Sequence, residues 1–253
     1  MLLLIDAGNT RIKWSLVNGE DWLCSSVLPA EQAGKLSQHI TCHLDRLRTG
    51  LHDIQQIWVS NVAGEEIARQ ICSNSAGMSG QPHFVVALKA QCGVRNSYSN
   101  ISQLGSDRWA ALIAAWHLVQ GKCLVVNSGT ATTIDTLSEQ GEFLGGLILP
   151  GVELMQHSVV AATAQLKAAQ GKYAPFPLNS ADALYSGTIQ ASCGAIERQY
   201  TLLNDDSTSV ILSGGAAELL QPHLNQKLFS VPPRIVDNLV LQGLLLIAQE
   251  ANT

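Results

Sequence analysis

The chain has 253 residues, 46% of them hydrophobic and 14% charged, with 15 basic against 20 acidic side chains and a formal net charge of -5. That length and apolarity exclude a disordered chain and allow one large or two modest cores, and the acidic balance excludes the basic surface that holds a nucleic-acid backbone. Only 5% of the residues are aromatic, so packing must rely on Ala, Leu and Gly, which let helices lie close to sheets in a mixed α/β architecture.

The first apolar run, Leu2 to Ile5, meets Asp6 after a few residues. It is too short for a membrane span, or for a secretion signal, which needs an apolar stretch of at least about 7 residues behind basic ones. Leu2 to Leu16 reads as strand, glycine turn at Gly8 and second strand, with Asn18-Gly19 as a hairpin turn. Helix is predicted from Ala30 to Arg48, strand from Gln56 to Ser60, helix from Glu65 to Ser73 and strand from His83 to Ala87. Gly105-Ser106-Asp107 then caps a helix running to about Gln120. The opening pattern recurs from Cys123 to Leu137, with Asn127 in the place of Asp6, Gly129 in that of Gly8, and Gln140-Gly141 as the hairpin turn. A strand from Gly145 to Leu149, a break at Pro150-Gly151, and helices from Val152 to Leu166 and Ser180 to Tyr200 follow. A strand from Ser209 to Leu212, the turn Ser213-Gly214-Gly215 and a final helix from Leu239 to Glu250 complete the chain. One strand-loop-strand unit opening each half predicts an internal duplication. The domains are expected over 1–120 and 121–253, meeting near Gly121 without a Pro-, Gly- or Ser-rich linker.

Asp6 stands at a strand end beside Gly8, where the backbone can turn and bring amides close to an anion. A carboxylate next to phosphate-binding amides calls for a cation such as Mg²⁺ between them; an ordinary hairpin with a solvated Asp uses the same residues. The second loop, Gly129-Thr130, shifts the balance, since two facing glycine loops can clamp one polyphosphate. Gly105-Ser106-Asp107-Arg108 opens an otherwise apolar helix, either as a helix cap with a solvated Arg108 or as part of a site. Ser213-Gly214-Gly215 is either a tight strand-to-helix turn or bare backbone on which a flat ring can lie. The seven histidines form no triad or ligand cluster, and the six cysteines are dispersed, which fits reduced thiols in the cytoplasm. Gly-x-x-x-x-Gly-Lys-Ser/Thr, Gly-x-Gly-x-x-Gly and Gly-x-Ser-x-Gly are all missing, so the commonest nucleotide-binding and hydrolase motifs are unsupported.

In order, Asp6-Ala-Gly-Asn-Thr-Arg-Ile-Lys13, Leu104-Gly-Ser-Asp107-Arg108-Trp, Gly129-Thr-Ala-Thr-Thr, Gly145-Gly-Leu-Ile-Leu-Pro-Gly151 and Ser213-Gly-Gly-Ala-Ala resemble type III pantothenate kinase. Single loops of this kind occur across the actin, hexokinase and acetate-kinase superfamily; Gly-Ser-Asp-Arg together with Gly-Gly-Leu-Ile-x-Pro-Gly is specific. The resemblance implies an α/β fold of two actin-like (ribonuclease H-like) domains, a homodimer, and ATP-dependent phosphorylation of pantothenate, the first step of coenzyme A synthesis. An accessory regulator of transcription on the same fold, or a kinase for another small acceptor, is the alternative. By the same resemblance Asp6, Ala7, Gly8, Asn9, Thr10, Arg11, Ile12 and Lys13 form the first phosphate loop, with Asp6 positioning Mg²⁺-ATP, and Thr130 meets ATP from the second loop. Asp107 is the base, Gly105, Ser106, Asp107 and Arg108 line the pantothenate pocket, Tyr98 matches a substrate-contacting tyrosine, and Ser180 stands where the family usually has Thr. The family usually has Asp at Asn127, where it helps hold K⁺ or NH₄⁺; an amide brings no formal charge, so that cation requirement is expected to weaken.

Overall fold

The computed structural model describes residues 1–164, 166 and 170–252. The chain divides into two units, Met1–Ala114 with Leu239–Thr253, and Ala115–Asn238. In the first, β1 (Leu2–Ala7), β2 (Arg11–Asn18) and β3 (Asp21–Pro29) are antiparallel neighbours. After α1 (Leu36–Leu47), the strands β4 (Gln56–Asn61) and β5 (Pro82–Phe84), joined through α2 (Glu65–Asn74), add on parallel to β1, giving the order β3-β2-β1-β4-β5. A hairpin of β6 (Ala90–Gln91) and β7 (Val94–Asn96) precedes α3 (Ser106–Val119), inside which the division between the units falls.

In the second unit β8 (Cys123–Ser128), β9 (Ala131–Leu137) and β10 (Glu142–Pro150) repeat the antiparallel trio, followed by α4 (Val152–Ala162) and α5 (Ser180–Leu203). Then β11 (Ser209–Ser213), α6 (Ala217–Leu220) and β12 (Arg234–Ile235) place two strands parallel to β8. The order β10-β9-β8-β11-β12 reproduces the first unit strand for strand, which is the duplicated actin-like arrangement. The helix expected to reach Leu166 stops at Ala162, where the Thr163 N–H turns back to the Val160 carbonyl at 3.4 Å; Gln165 lies outside the described residues.

The sequence puts the last helix with the second half, whereas α7 (Leu239–Glu250) packs on β1 and β4 of the first unit. Its seat is built from small residues. A Cβ on Gly243 would lie 1.9 Å from the Ala110 carbonyl oxygen, so only glycine lets α7 approach α3 this closely. Trp109 to Ala115 of α3 are all buried, as in a helix covered all round.

Period-two alternation decides what each face of the first sheet carries. Leu3, Ile5 and Ala7 of β1, Ile12 and Trp14 of β2 and Ile57 and Val59 of β4 form one core with Leu36, Ile40 and Leu44 of α1. Asp6 therefore faces the other way, in register with Lys13 on one side and Ser60 on the other. In the second unit the alternation sends Leu124, Val126 and Leu212 into a core with Ile189, Ile196 and Tyr200 of α5. Asn127 faces away, flanked by Thr133 and Ser213.

Candidate active site

The row Lys13–Asp6–Ser60 lies across three strands at the carboxyl end of β1. Asp6 is raised from its ordinary 3.8 to about 7, first by burial and then by repulsion from the Asp107 carboxylate, while Lys13 draws it down. Asp107 is also raised by burial, but it is pulled back by the Arg108 N–H, which donates to its Oδ1 at 2.8 Å, and by the Arg108 guanidinium. Asp6 is thereby brought to titrate near neutrality, while Asp107 is fixed in direction by the N–H it accepts. A half-buried carboxylate raised by a second carboxylate nearby suits a hard divalent cation. Mg²⁺ in particular uses one or two carboxylates together with a substrate's phosphates.

The start of α3 fixes Asp107. A Cβ on Gly105 would stand 2.6 Å from Asp107 Oδ1, so glycine leaves the room that the carboxylate occupies. Arg108 is not solvated. It is 5% exposed, its Nη1 donates to Tyr98 Oη at 3.2 Å, and its Cζ lies 5.8 Å from the Tyr98 ring centroid. Ser106 spends its hydroxyl on Ser60, at 2.9 Å, rather than on capping the helix. Ser60 is the residue that the sequence reading passes over; its only signal there is a hydroxyl in the otherwise apolar run Ile57-Trp58-Val59.

The second glycine loop is held by backbone contacts. The Gly129 N–H donates to the Ala131 carbonyl at 2.9 Å, and the Gly151 N–H to that of Thr130 at 2.9 Å. Gly214 has φ +93°, and a Cβ there would meet Ser128 O at 2.4 Å and Asn127 Oδ1 at 2.8 Å. The Ser213-Gly214-Gly215 turn thus has a packing reason for its glycine.

A family model for type III pantothenate kinase matches residues 2–202. A type III pantothenate kinase from Nitrosospira multiformis is 46% identical over 255 residues, spanning 100% of this chain and 92% of the relative. The chain belongs to the type III pantothenate kinase family. A second family member, from Aromatoleum aromaticum, is 43% identical over 99% of this chain and 98% of its own. Among solved structures, one from Campylobacter jejuni described as a Baf family transcriptional activator has a TM-score of 0.60 at 22% identity, over 99% of this chain and 98% of that one. One from Sinorhizobium meliloti described as a 2-dehydro-3-deoxygalactonokinase has 0.61 at 14%, over 98% and 96%. These two show the actin-like fold, and no regulatory role follows from the first.

The structure sorts the positions that the family resemblance marks. Ala7 and Ile12 are fully buried in the core, so they support the first loop from beneath and offer no side chain to a nucleotide. Asn9, Thr10 and Arg11 are exposed at its tip. The Gly8 N–H is already given to the Arg11 carbonyl at 3.0 Å, so this amide closes the turn rather than meeting an anion. Asp6, Tyr98, Gly105, Ser106, Asp107 and Arg108 all fall in the first unit, and Asn127, Thr130 and Ser180 in the second. Ser180 is exposed in the first turn of α5, next to the Asn179 cap, whose side chain accepts the Asp182 N–H at 2.9 Å. Within the second unit a cleft of about 530 Å³ is lined by Gln156 and His157 of α4 and Leu184 and Tyr185 of α5, among others.

Gly151 offers a test of the second loop. A Cβ there would meet Gly129 O at 2.1 Å and Thr130 O at 2.7 Å, both backbone atoms that cannot swing aside. Gly151→Ala is expected to cost about 1–3 kcal/mol of stability and to raise the KM for ATP. Thermal melts and initial-rate kinetics check both.

Proposed function

We propose that this family member transfers the γ-phosphoryl group of ATP to the primary hydroxyl of pantothenate, with Asp107 taking the hydroxyl proton. The observation that carries this reading is the half-buried pair Asp6 and Asp107, one at a strand end in register with Lys13 and Ser60 and the other in the first turn of α3, which Ser106 fastens to Ser60, with the Asp107 carboxylate close enough to raise Asp6. Phosphoryl transfer asks mainly for alignment and charge neutralisation. Asp6 would hold Mg²⁺, which neutralises phosphate charge when bound. The exposed tip Asn9-Thr10-Arg11, Lys13 and Thr130 would meet the phosphates, and the backbone of the Gly214-Gly215 turn would lie against the base. Tyr98, Gly105, Ser106, Arg108 and Ser180 would receive pantothenate; a buried guanidinium suits a carboxylate acceptor.

The acceptor profile tests this. With Mg-ATP, ADP release is expected with pantothenate and not with sugars or short acids that lack its amide, because a site built on polar contacts rejects analogues without them. Equal turnover with such an acceptor contradicts the reading.

Asn127 bears on K⁺ or NH₄⁺. The row Thr133–Asn127–Ser213 carries no ionisable carboxylate or amine where Lys13–Asp6–Ser60 carries one of each. An amide oxygen can coordinate a monovalent ion but adds no charge to attract it. Turnover should depend on K⁺ less than in relatives with Asp at this position, and Asn127→Asp should gain activation by K⁺. Strict dependence that saturates at low K⁺ contradicts this.

A homodimer is supported by apolar side chains left open in the second unit: Phe176 and Leu178 at 89% and 98% exposure just before Ser180, with Ile148 of β10 and Leu154 of α4. Among the described residues no helix is long and apolar enough to cross a membrane. All six cysteines are unpaired, which supports a cytoplasmic setting.

A further inference from the structure

The geometry points to Ser60 as a positioning residue that aims Asp107. This rests on the reading of Asp107 as the base. Ser60 is completely buried on β4, in register with Asp6 and on the same face. A hydroxyl in that setting must find a partner, and its partner is the Ser106 hydroxyl, 46 residues away in sequence and 2.9 Å in space. Ser106 is the first residue of α3 and is itself buried. The pair therefore fastens the first turn of the helix to the strand beside Asp6.

Asp107 follows directly, and the direction of its carboxylate is set by the backbone of that turn. Its Oδ1 accepts the N–H of Arg108 and fills the space over Gly105. Alongside, the Val62 N–H donates to the Ala7 carbonyl at 3.0 Å and holds the end of β4 to β1. With the serine pair as its tie, the first turn is held against the sheet. Losing the tie lets the turn drift, and a displacement of about 1 Å at a reacting group is worth on the order of 100-fold in rate.

The test is Ser60→Ala measured in two backgrounds, wild type and Asp107→Asn, by steady-state kinetics with ATP and pantothenate varied in turn and by single-turnover phosphoryl transfer with excess enzyme. With Asp107 present, kcat is expected to fall about 10- to 100-fold with both KM values unchanged, and Ser60→Thr, which keeps the hydroxyl, should restore most of it. In the Asp107→Asn background Ser60→Ala should change little, because there is no base left to aim. A purely structural role would lower the rate by the same factor in both backgrounds, and that result, or a raised KM alone, overturns the proposal. If Asp107→Asn by itself keeps wild-type kcat, the assignment of the base has failed and the proposal falls with it, a distinct outcome. Should Ser60→Ala not fold, Ser60→Cys, close in size and only a weak hydrogen-bond donor, weakens the same bond and the two-background comparison decides.

Discussion

Asp107→Asn is expected to lower kcat by roughly 10²- to 10⁴-fold, the range that a positioned general base supplies, or about 3–5 kcal/mol of barrier. The substitution is nearly isosteric. The side-chain oxygen can still accept the Arg108 N–H that Asp107 Oδ1 holds at 2.8 Å, so the first turn of α3 keeps its shape and only basicity is lost. The KM for ATP should therefore stay close to wild type. A second consequence is separable from catalysis. Repulsion from Asp107 is one of the causes that raise Asp6, so the variant should bring Asp6 back toward its ordinary value, and steady-state kinetics over a pH series report both effects. A variant that keeps kcat, or loses only ATP affinity, contradicts the assignment.

With Asp6 proposed as the group that meets Mg²⁺, the kcat/KM for Mg-ATP is expected to fall as pH drops below about 7, approaching tenfold per pH unit, because burial first raises the Asp6 carboxyl to about 7 and a protonated carboxyl brings no charge to a cation. The sign for stability is opposite. The folded-state value lies above the ordinary 3.8, so the folded chain holds the proton more tightly than the unfolded one, and stability is lost as pH rises through the window from about 4 to about 7. The full displacement corresponds to about 4 kcal/mol; partial solvent contact at Asp6 reduces this to on the order of 1–2 kcal/mol. Asp6→Asn should thus melt at a higher temperature than wild type at pH 8, match it near pH 4, and lose activity at both. Equal melting at pH 8, with activity flat across neutrality, contradicts the account.

Much of this was legible before the fold was known, for identifiable reasons. The two glycine turns could be read because each sits between short strands, and α7 fell on Leu239–Glu250 because it is apolar over two runs, Leu239–Leu241 and Leu244–Ala248, with Gln242 and Gly243 between them. Its attachment to the first unit was not legible, since Gly243 meeting Ala110 is a contact that no local pattern records. β3 went unread because it is an edge strand, exposed at most positions and so without alternation, and β6 and β7 are two and three residues long. Ala30–Lys35 forms a 3₁₀ rather than an α-helix, running from Pro29 directly into α1. At the site, the residue types of Asp6, Asp107 and Arg108 announced themselves. Ser60 did not, because a serine among apolar neighbours gains meaning only when Ser106 is found opposite it. Ala7 and Ile12 entered with their motif, and their burial shows that a motif marks a stretch of backbone as much as a set of contacts.

The central claim is that the two carboxylates at the end of β1 and the start of α3 serve phosphoryl transfer to pantothenate. The most direct measurement is ³¹P NMR of purified protein with Mg-ATP and pantothenate, followed through many turnovers. The account predicts one phosphomonoester on pantothenate's primary hydroxyl for each ADP formed, with both signals collapsing together in Asp107→Asn. ADP formed without that ester, or no turnover while ATP is bound, contradicts it.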